Sequence, residues 1–113
     1  LKISFNVRFV LTEFVRIASV RDLSEGTMIG VKVDKKDILI ANLDGKFFAI
    51  GNRCTHQGCL LSKGNLEEDK VTCPCHFSVF DVKTGKVIRS PATKPEPTYE
   101  VKIQGFDVLI KIG

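Results

Sequence analysis

The chain has 113 residues, 43% hydrophobic and 27% charged, with seventeen Lys and Arg against thirteen Asp and Glu for a net charge of +4. A chain of this length makes one domain with a modest core, so residues 1–113 are expected to fold as a single unit. The basic excess is small and lacks a stripe of Lys and Arg interleaved with aromatics, which argues against nucleic-acid binding and points only weakly to an acidic partner surface.

Short apolar runs with period-2 alternation, separated by turn signals, predict an all-β chain. Residues 1–14 read as an N-terminal extension or an edge strand, with Phe5, Val7 and Phe9 at alternating positions. Lys2, Arg8, Glu13 and Arg16 interrupt the first twenty residues, so this stretch is no membrane span, which needs about 20 mostly apolar residues. A removed anchor ahead of it is left open. Residues 14–20 form the next strand candidate, ended by Asp22-Leu23-Ser24-Glu25-Gly26. Residues 28–33 and 38–41 flank the polar tip Asp34-Lys35-Lys36-Asp37, and Asp44-Gly45 is a hairpin turn before 47–50.

Residues 61–66 read as connecting structure with a turn at Gly64-Asn65, and Glu67-Glu68-Asp69-Lys70 as a solvated hairpin tip. Strands are expected at 71–72, 79–82 and 86–89, with Thr84-Gly85 turning between the last two, and at 99–104 and 107–112 around Gly105. No run has the length and period of a helix, and residues 61–67 could hold at most a turn or two. Ser90-Pro91-Ala92-Thr93-Lys94-Pro95-Glu96-Pro97 carries three prolines and cannot lie in a central strand.

Chemistry concentrates in two short pieces, Cys54-Thr55-His56 and Cys73-Pro74-Cys75-His76, with sixteen residues between His56 and Cys73. Each supplies a thiolate and an imidazole, the ligands of zinc, copper and iron–sulfur sites rather than of hard cations. Zinc fingers usually group cysteines with cysteines and histidines with histidines. Here each arm mixes the two, which suits a binuclear centre with cysteines on one iron and histidines on the other. A structural zinc domain that binds another macromolecule stays as the rival of a different class. Both histidines are committed in either case, so no serine–histidine catalytic pair is supported and the chain does not read as an enzyme.

The segments 54–60 and 73–80 closely resemble the Rieske [2Fe–2S] family, through both ligand pairs, their separation, Gly58, Pro74 and the aromatic Phe80. The resemblance implies an antiparallel β-sandwich that presents one [2Fe–2S] cluster on two hairpin loops. It implies that Cys54 and Cys73 bind one iron and His56 and His76 the other. Cys59 and Cys75 match a pair that forms a disulfide in the Rieske proteins of cytochrome bc and b6f complexes, the rival being two packed thiols. Ser78 takes the place of a hydroxyl donor to a bridging sulfide. Phe80 stands where relatives carry tyrosine, a donor to a ligand sulfur, or phenylalanine, which cannot donate. Pro91 belongs to a segment that covers the third side of the cluster, a stiff linker being the plainer alternative. Phe77 stands where many relatives have glycine, and is read either as packed against Leu60 or the proline segment or as part of an apolar docking patch.

The function so implied is one-electron transfer by a soluble Rieske-type ferredoxin, with redox proteins (a reductase, an oxygenase or a cytochrome) as partners. A soluble fragment of a quinol-oxidising complex is the alternative that Cys59 and Cys75 favour. The matching compartment is the cytoplasm, of a thermophile or archaeon if a disulfide is to persist there, or else the outside of the cytoplasm for a domain released from an anchor.

Overall fold

A computed structural model describes residues 13–112, and the proposed strand around Phe5, Val7 and Phe9 lies outside them. The described chain is almost wholly β: β1 Phe14–Ser19, β2 Met28–Val33, β3 Lys36–Leu43, β4 Lys46–Gly51, β5 Asn65–Glu67, β6 Lys70–Thr72, β7 Val79–Asp81, β8 Val87–Arg89, β9 Thr98–Tyr99, β10 Val101–Gln104 and β11 Asp107–Lys111. Two single 3₁₀ turns, Val20–Asp22 and Leu61–Lys63, are the only helical pieces among the described residues. The strands form three antiparallel sheets, ordered β1-β11-β10, β2-β3-β4-β9 and β5-β6-β7-β8, in a Rieske-like sandwich.

β3 explains why the layers stack. Ile38, Leu39, Ile40 and Ala41 are all fully buried. Successive side chains of a strand point to opposite faces. Ile38 and Ile40 accordingly join Ala18, Leu23, Ala49, Val108 and Ile110 in one core, while Leu39 and Ala41 join Ile50, Cys54, Leu61, Val71, Cys73, Phe80, Val82 and Ala92 in another. A strand buried on both faces reads as a continuous apolar run rather than an alternating one. The second core is the one that contains Cys54 and Cys73, so the centre is built onto the hydrophobic interior.

Hairpin tips fall where turn chemistry puts them. Asp44-Gly45 closes β3 onto β4 with Leu43 opposite Lys46, and both residues have positive φ, 55° and 87°. Glu68-Asp69 does the same between β5 and β6, with Glu68 at φ 57°.

Three expectations need correction. The 61–66 stretch holds the single turn its sequence allows, a 3₁₀ at Leu61–Lys63, but from Asn65 it is the edge strand β5, so Gly64-Asn65 is no turn. Gly64 is required there for a different reason, since a Cβ would run into the Thr72 carbonyl of β6. The single strand expected over 99–104 is two. β9 pairs with β4, and β10 pairs with β11 in another sheet, so the chain changes sheets at Glu100. Lastly, only the second ligand loop hangs from a hairpin. The first runs between β4 and β5, which lie in different sheets, and is closed by a lone bridge between Arg53 and Leu60.

Candidate metal centre

Two loops, unrelated in their anchoring, share one internal frame. In the first, the Cys54 N–H donates to the Cys59 carbonyl (2.8 Å) and the Gly58 N–H to the Cys54 carbonyl (2.7 Å). In the second, the Cys73 N–H donates to the Ser78 carbonyl (2.8 Å) and the Phe77 N–H to the Cys73 carbonyl (3.1 Å). The residue four places after each cysteine takes the left-handed conformation: Gly58 at φ 80° and Phe77 at φ 65°. Gly58 is needed for its backbone angle and not for space, because no protein atom lies within 4 Å of a Cβ placed there.

This frame turns the two residue types in opposite directions. Cys54 and Cys73 are buried, and their thiols lie within hydrogen-bonding reach of each other. His56 and His76 are exposed, with ring centroids 5.2 Å apart and planes at 85°. Burial pushes the Cys54 thiol up, and the Cys73 thiol beside it adds to the rise. The backbone N–H groups of His56 and Gln57 work the other way. A buried thiol pair resists ionisation on its own, and a bound cation reverses that preference. The donor set of two converging thiols inside and two imidazoles outside therefore fits a histidine-ligated [2Fe–2S] cluster.

Cys59 and Cys75 form a disulfide with Cα atoms 6.4 Å apart, tying loop to loop as the resemblance implied. Their sulfurs and that of Cys73 all lie within 4.8 Å of one another. A bridged sulfur is no thiolate ligand, so this grouping marks where the disulfide abuts Cys73 and not a three-cysteine metal site.

The proline segment touches both loops. The Ala92 N–H donates to Ser78 Oγ (2.9 Å), and the Thr55 hydroxyl donates to the Lys94 carbonyl (2.6 Å). Ser78 is fully buried, so with its oxygen engaged by Ala92 its own proton is left for a further acceptor. Pro91 follows a cis peptide bond and is exposed, as is Pro74.

Phe77 settles against one of its two readings. It is 61% exposed, so it is not packed under Leu60 or the prolines.

Residues that sequence reasoning passed over also brace the site. Asn52, buried, holds both sides of the first loop's base. Its Nδ2 donates to Ser62 Oγ, its Oδ1 accepts from the Ser62 N–H, and its carbonyl accepts from the Leu61 N–H. Arg53 reaches across the loop, donating through Nη1 to the Gly58 carbonyl (3.1 Å) and through Nε to Asp37 (2.9 Å). The available signal was a polar pair directly before a ligand cysteine, where the strand pattern of 47–50 breaks off.

Phe80 is fully buried in the same core as Cys54 and Cys73. A hydroxyl at its ring edge that donated to a ligand sulfur would favour the more negative, reduced state. At about 1 kcal/mol of preference, and 59 mV per tenfold in a one-electron couple, Phe80→Tyr is expected to raise the midpoint potential by roughly 30–60 mV. Spectroelectrochemical titration of both proteins checks this, and an unchanged midpoint with the metal centre intact would refute the contact.

Comparison with known proteins gives one consistent picture. The family model described as the Rieske [2Fe–2S] domain matches residues 13–102. The ferredoxin component of the naphthalene 1,2-dioxygenase/salicylate 5-hydroxylase systems of a Ralstonia species is 39% identical over 99 residues, covering 88% of this chain and 95% of that protein. The biphenyl 2,3-dioxygenase ferredoxin component of Rhodococcus jostii is 40% identical over 97 residues, covering 86% and 91%. Among solved structures, a Sphingomonas yanoikuyae B1 ferredoxin superposes with a TM-score of 0.85 at 29% identity, covering 89% of this chain and all of that one. The cyanobacterial plasma membrane Rieske protein of Synechocystis PCC 6803 gives 0.71 at 28% identity, covering 87% and 99%. No helix among the described residues is long and apolar enough to cross a membrane.

Proposed function

Because the chain belongs to the Rieske [2Fe–2S] family, we propose that it holds one such cluster, with Cys54 and Cys73 on the inner iron and His56 and His76 on the outer, and that it carries single electrons from a reductase to an oxygenase. When bound, the cluster supplies a reversible one-electron couple within a range of about −150 to +300 mV. The observation that carries the reading is the shared frame of the two loops, which turns one thiol of each inward and one imidazole of each outward. Buried Cys54 and Cys73 keep water from the inner ligands. Exposed His56 and His76 give a partner its shortest approach, and the cross-tied segment around Pro91 holds both loops against movement as charge changes.

The oxygenase partner is the one favoured by the ferredoxin components of dioxygenase systems that this chain resembles. We assign the protein to the cytoplasm on the same ground. The Cys59–Cys75 bridge favours a second reading, a subunit of a quinol-oxidising complex, whose partner would be a cytochrome.

Iron and zinc analysis with low-temperature EPR tests the centre, and electron delivery tests the role. Two irons per chain, a reduced-state signal with mean g below 2, and reduction by a nicotinamide-linked reductase followed by reoxidation by an oxygenase are expected. One zinc and no reducible signal would overturn the reading in favour of a structural zinc domain. Reduction by a quinol and not by a reductase would overturn the ferredoxin role in favour of the second reading.

Phe77 makes the docking face testable. Its side chain is exposed beside His76 and its backbone is left-handed at φ 65°, a conformation costing a non-glycine residue about 1–2 kcal/mol. Glycine removes that cost and adds some unfolded-chain entropy. Phe77→Gly is therefore expected to gain about 0.5–1 kcal/mol, a Tm rise of a few degrees, while severalfold more ferredoxin is needed to half-saturate the oxygenase. A variant that is more stable and docks as well as the parent would remove Phe77 from the interface.

A further inference from the structure

Glu96 is only 4% exposed, and its Oε2 has no hydrogen-bond partner among the described residues. No ion pair reaches it there either. Taking an unpartnered carboxyl oxygen out of water costs about 1–3 kcal/mol or more, so an apolar side chain of similar size would serve the fold better. The position needs another explanation.

Its surroundings supply one. A Cβ on Gly51, the last residue of β4, would lie 2.5 Å from Glu96 Oε1 and 3.0 Å from Pro97. Gly51 needs no positive φ, so its lack of a side chain serves to make this chamber. The neighbouring backbone is fastened on both sides: the Glu96 N–H donates to the Gly85 carbonyl (2.8 Å) and the Gly51 N–H to the Pro97 carbonyl (2.9 Å). The carboxyl thus lies against the end of β4, where the chain bends into the first ligand loop. Thr55, between Cys54 and His56, is fastened to the same segment, its hydroxyl donating to the Lys94 carbonyl 2.6 Å away. That loop is the one without a hairpin beneath it.

We propose that Glu96 is a positioning residue for the first ligand loop, a buried carboxyl seated in the space left by Gly51 that fixes the segment 94–97, and through the Thr55–Lys94 bond Cys54 and His56, in register with the second loop. This deepens the cluster reading and rests on it.

Three forms of the holoprotein test it: the parent, Glu96→Leu, which removes the carboxyl but suits the buried site, and Glu96→Gln, which keeps a polar group of the same shape against Gly51. Hydrogen exchange of the peptide spanning 52–58, the rate of cluster loss to a chelator, EPR g values and Tm are read on each. Glu96→Leu is expected to keep or raise Tm while cluster loss and exchange in 52–58 quicken at least tenfold, and Glu96→Gln to return both to within about threefold of the parent. Unchanged exchange and lifetime in the leucine variant would overturn the proposal. So would a Tm that falls in step with cluster lifetime and is not rescued by glutamine, since the carboxyl would then serve only the fold. A parent protein without iron defeats the cluster reading instead, and the exchange measurement still reports on Glu96.

Discussion

Replacing Cys59 and Cys75 together by serine will lower the stability of the protein by about 3 kcal/mol, the chain-entropy value for a closed loop of some 15 residues; the bridge here joins positions sixteen apart. For a chain of about 100 residues that corresponds to a Tm lower by roughly 10–15 °C. The cluster should be lost faster as well, by tenfold or more, because the first loop has no hairpin beneath it and is otherwise closed only by the bridge between Arg53 and Leu60 and by hydrogen bonds such as those of Asn52 and Arg53. Serine is the informative replacement. Simple reduction would leave three thiols, those of Cys59, Cys73 and Cys75, within 4.8 Å of one another, and two of them could then compete with the native ligands for iron. Cys75 is exposed and Cys59 half-buried, so a thiol reductant should reach the bridge, and alkylation of the protein purified without reductant shows whether it forms in the cell. A serine pair with Tm within 3 °C of the parent and an unaltered cluster lifetime would mean that the loops are held by their hydrogen bonds alone.

Those hydrogen bonds mark the limit of what the sequence discloses. The candidate donors were legible because thiol and imidazole are rare, and their spacing in Cys-x-His and Cys-x-x-His points directly to metal chemistry. Strands β2, β4 and β6 were legible for an equally local reason, since alternation and Asp-Gly or Glu-Asp tips are written within a few residues. The edge strand β5 was not, because Asn65-Leu66-Glu67 offers one apolar residue and depends on pairing with β6. The division at Glu100 was hidden for a related reason. Tyr99 and Val101 continue an alternating pattern, and only the positions of β4 and β11 assign them to different sheets. Among the supporting residues, Asn52, Arg53 and Thr55 act through partners 5 to 39 positions away, distances no local pattern encodes. Phe77 was legible as unusual and not as exposed. Its outward direction follows from the frame it shares with Gly58, which appears only when the two loops are laid side by side.

Glu96 makes the strongest statement about pH. Burial raises its carboxyl from 4.5 to about 7, and the Thr55 N–H offsets part of that rise. Tyr99, the titratable neighbour on β9, is itself pushed up, chiefly by burial and then by the Glu96 charge, so it stays neutral through this range. Between the two carboxyl values the folded chain keeps a proton that the unfolded chain has released, so stability falls as pH rises through the window and levels off above about 7. The whole shift would be worth about 3 kcal/mol, and water reaching a surface-lying proline segment reduces this to about 1–2 kcal/mol. Urea unfolding of the oxidised holoprotein at pH 5.5 and pH 8 spans a little over half of that shift and should therefore show the parent less stable at the higher value by about 1 kcal/mol, relative to Glu96→Gln measured alongside. Contributions common to both proteins cancel in the difference. The sign separates a buried acid from the usual surface carboxylate, whose partners lower its pKa and make the fold gain stability with rising pH. Parallel pH profiles for parent and glutamine variant would place Glu96 in water, and the chamber under Gly51 would lose its meaning.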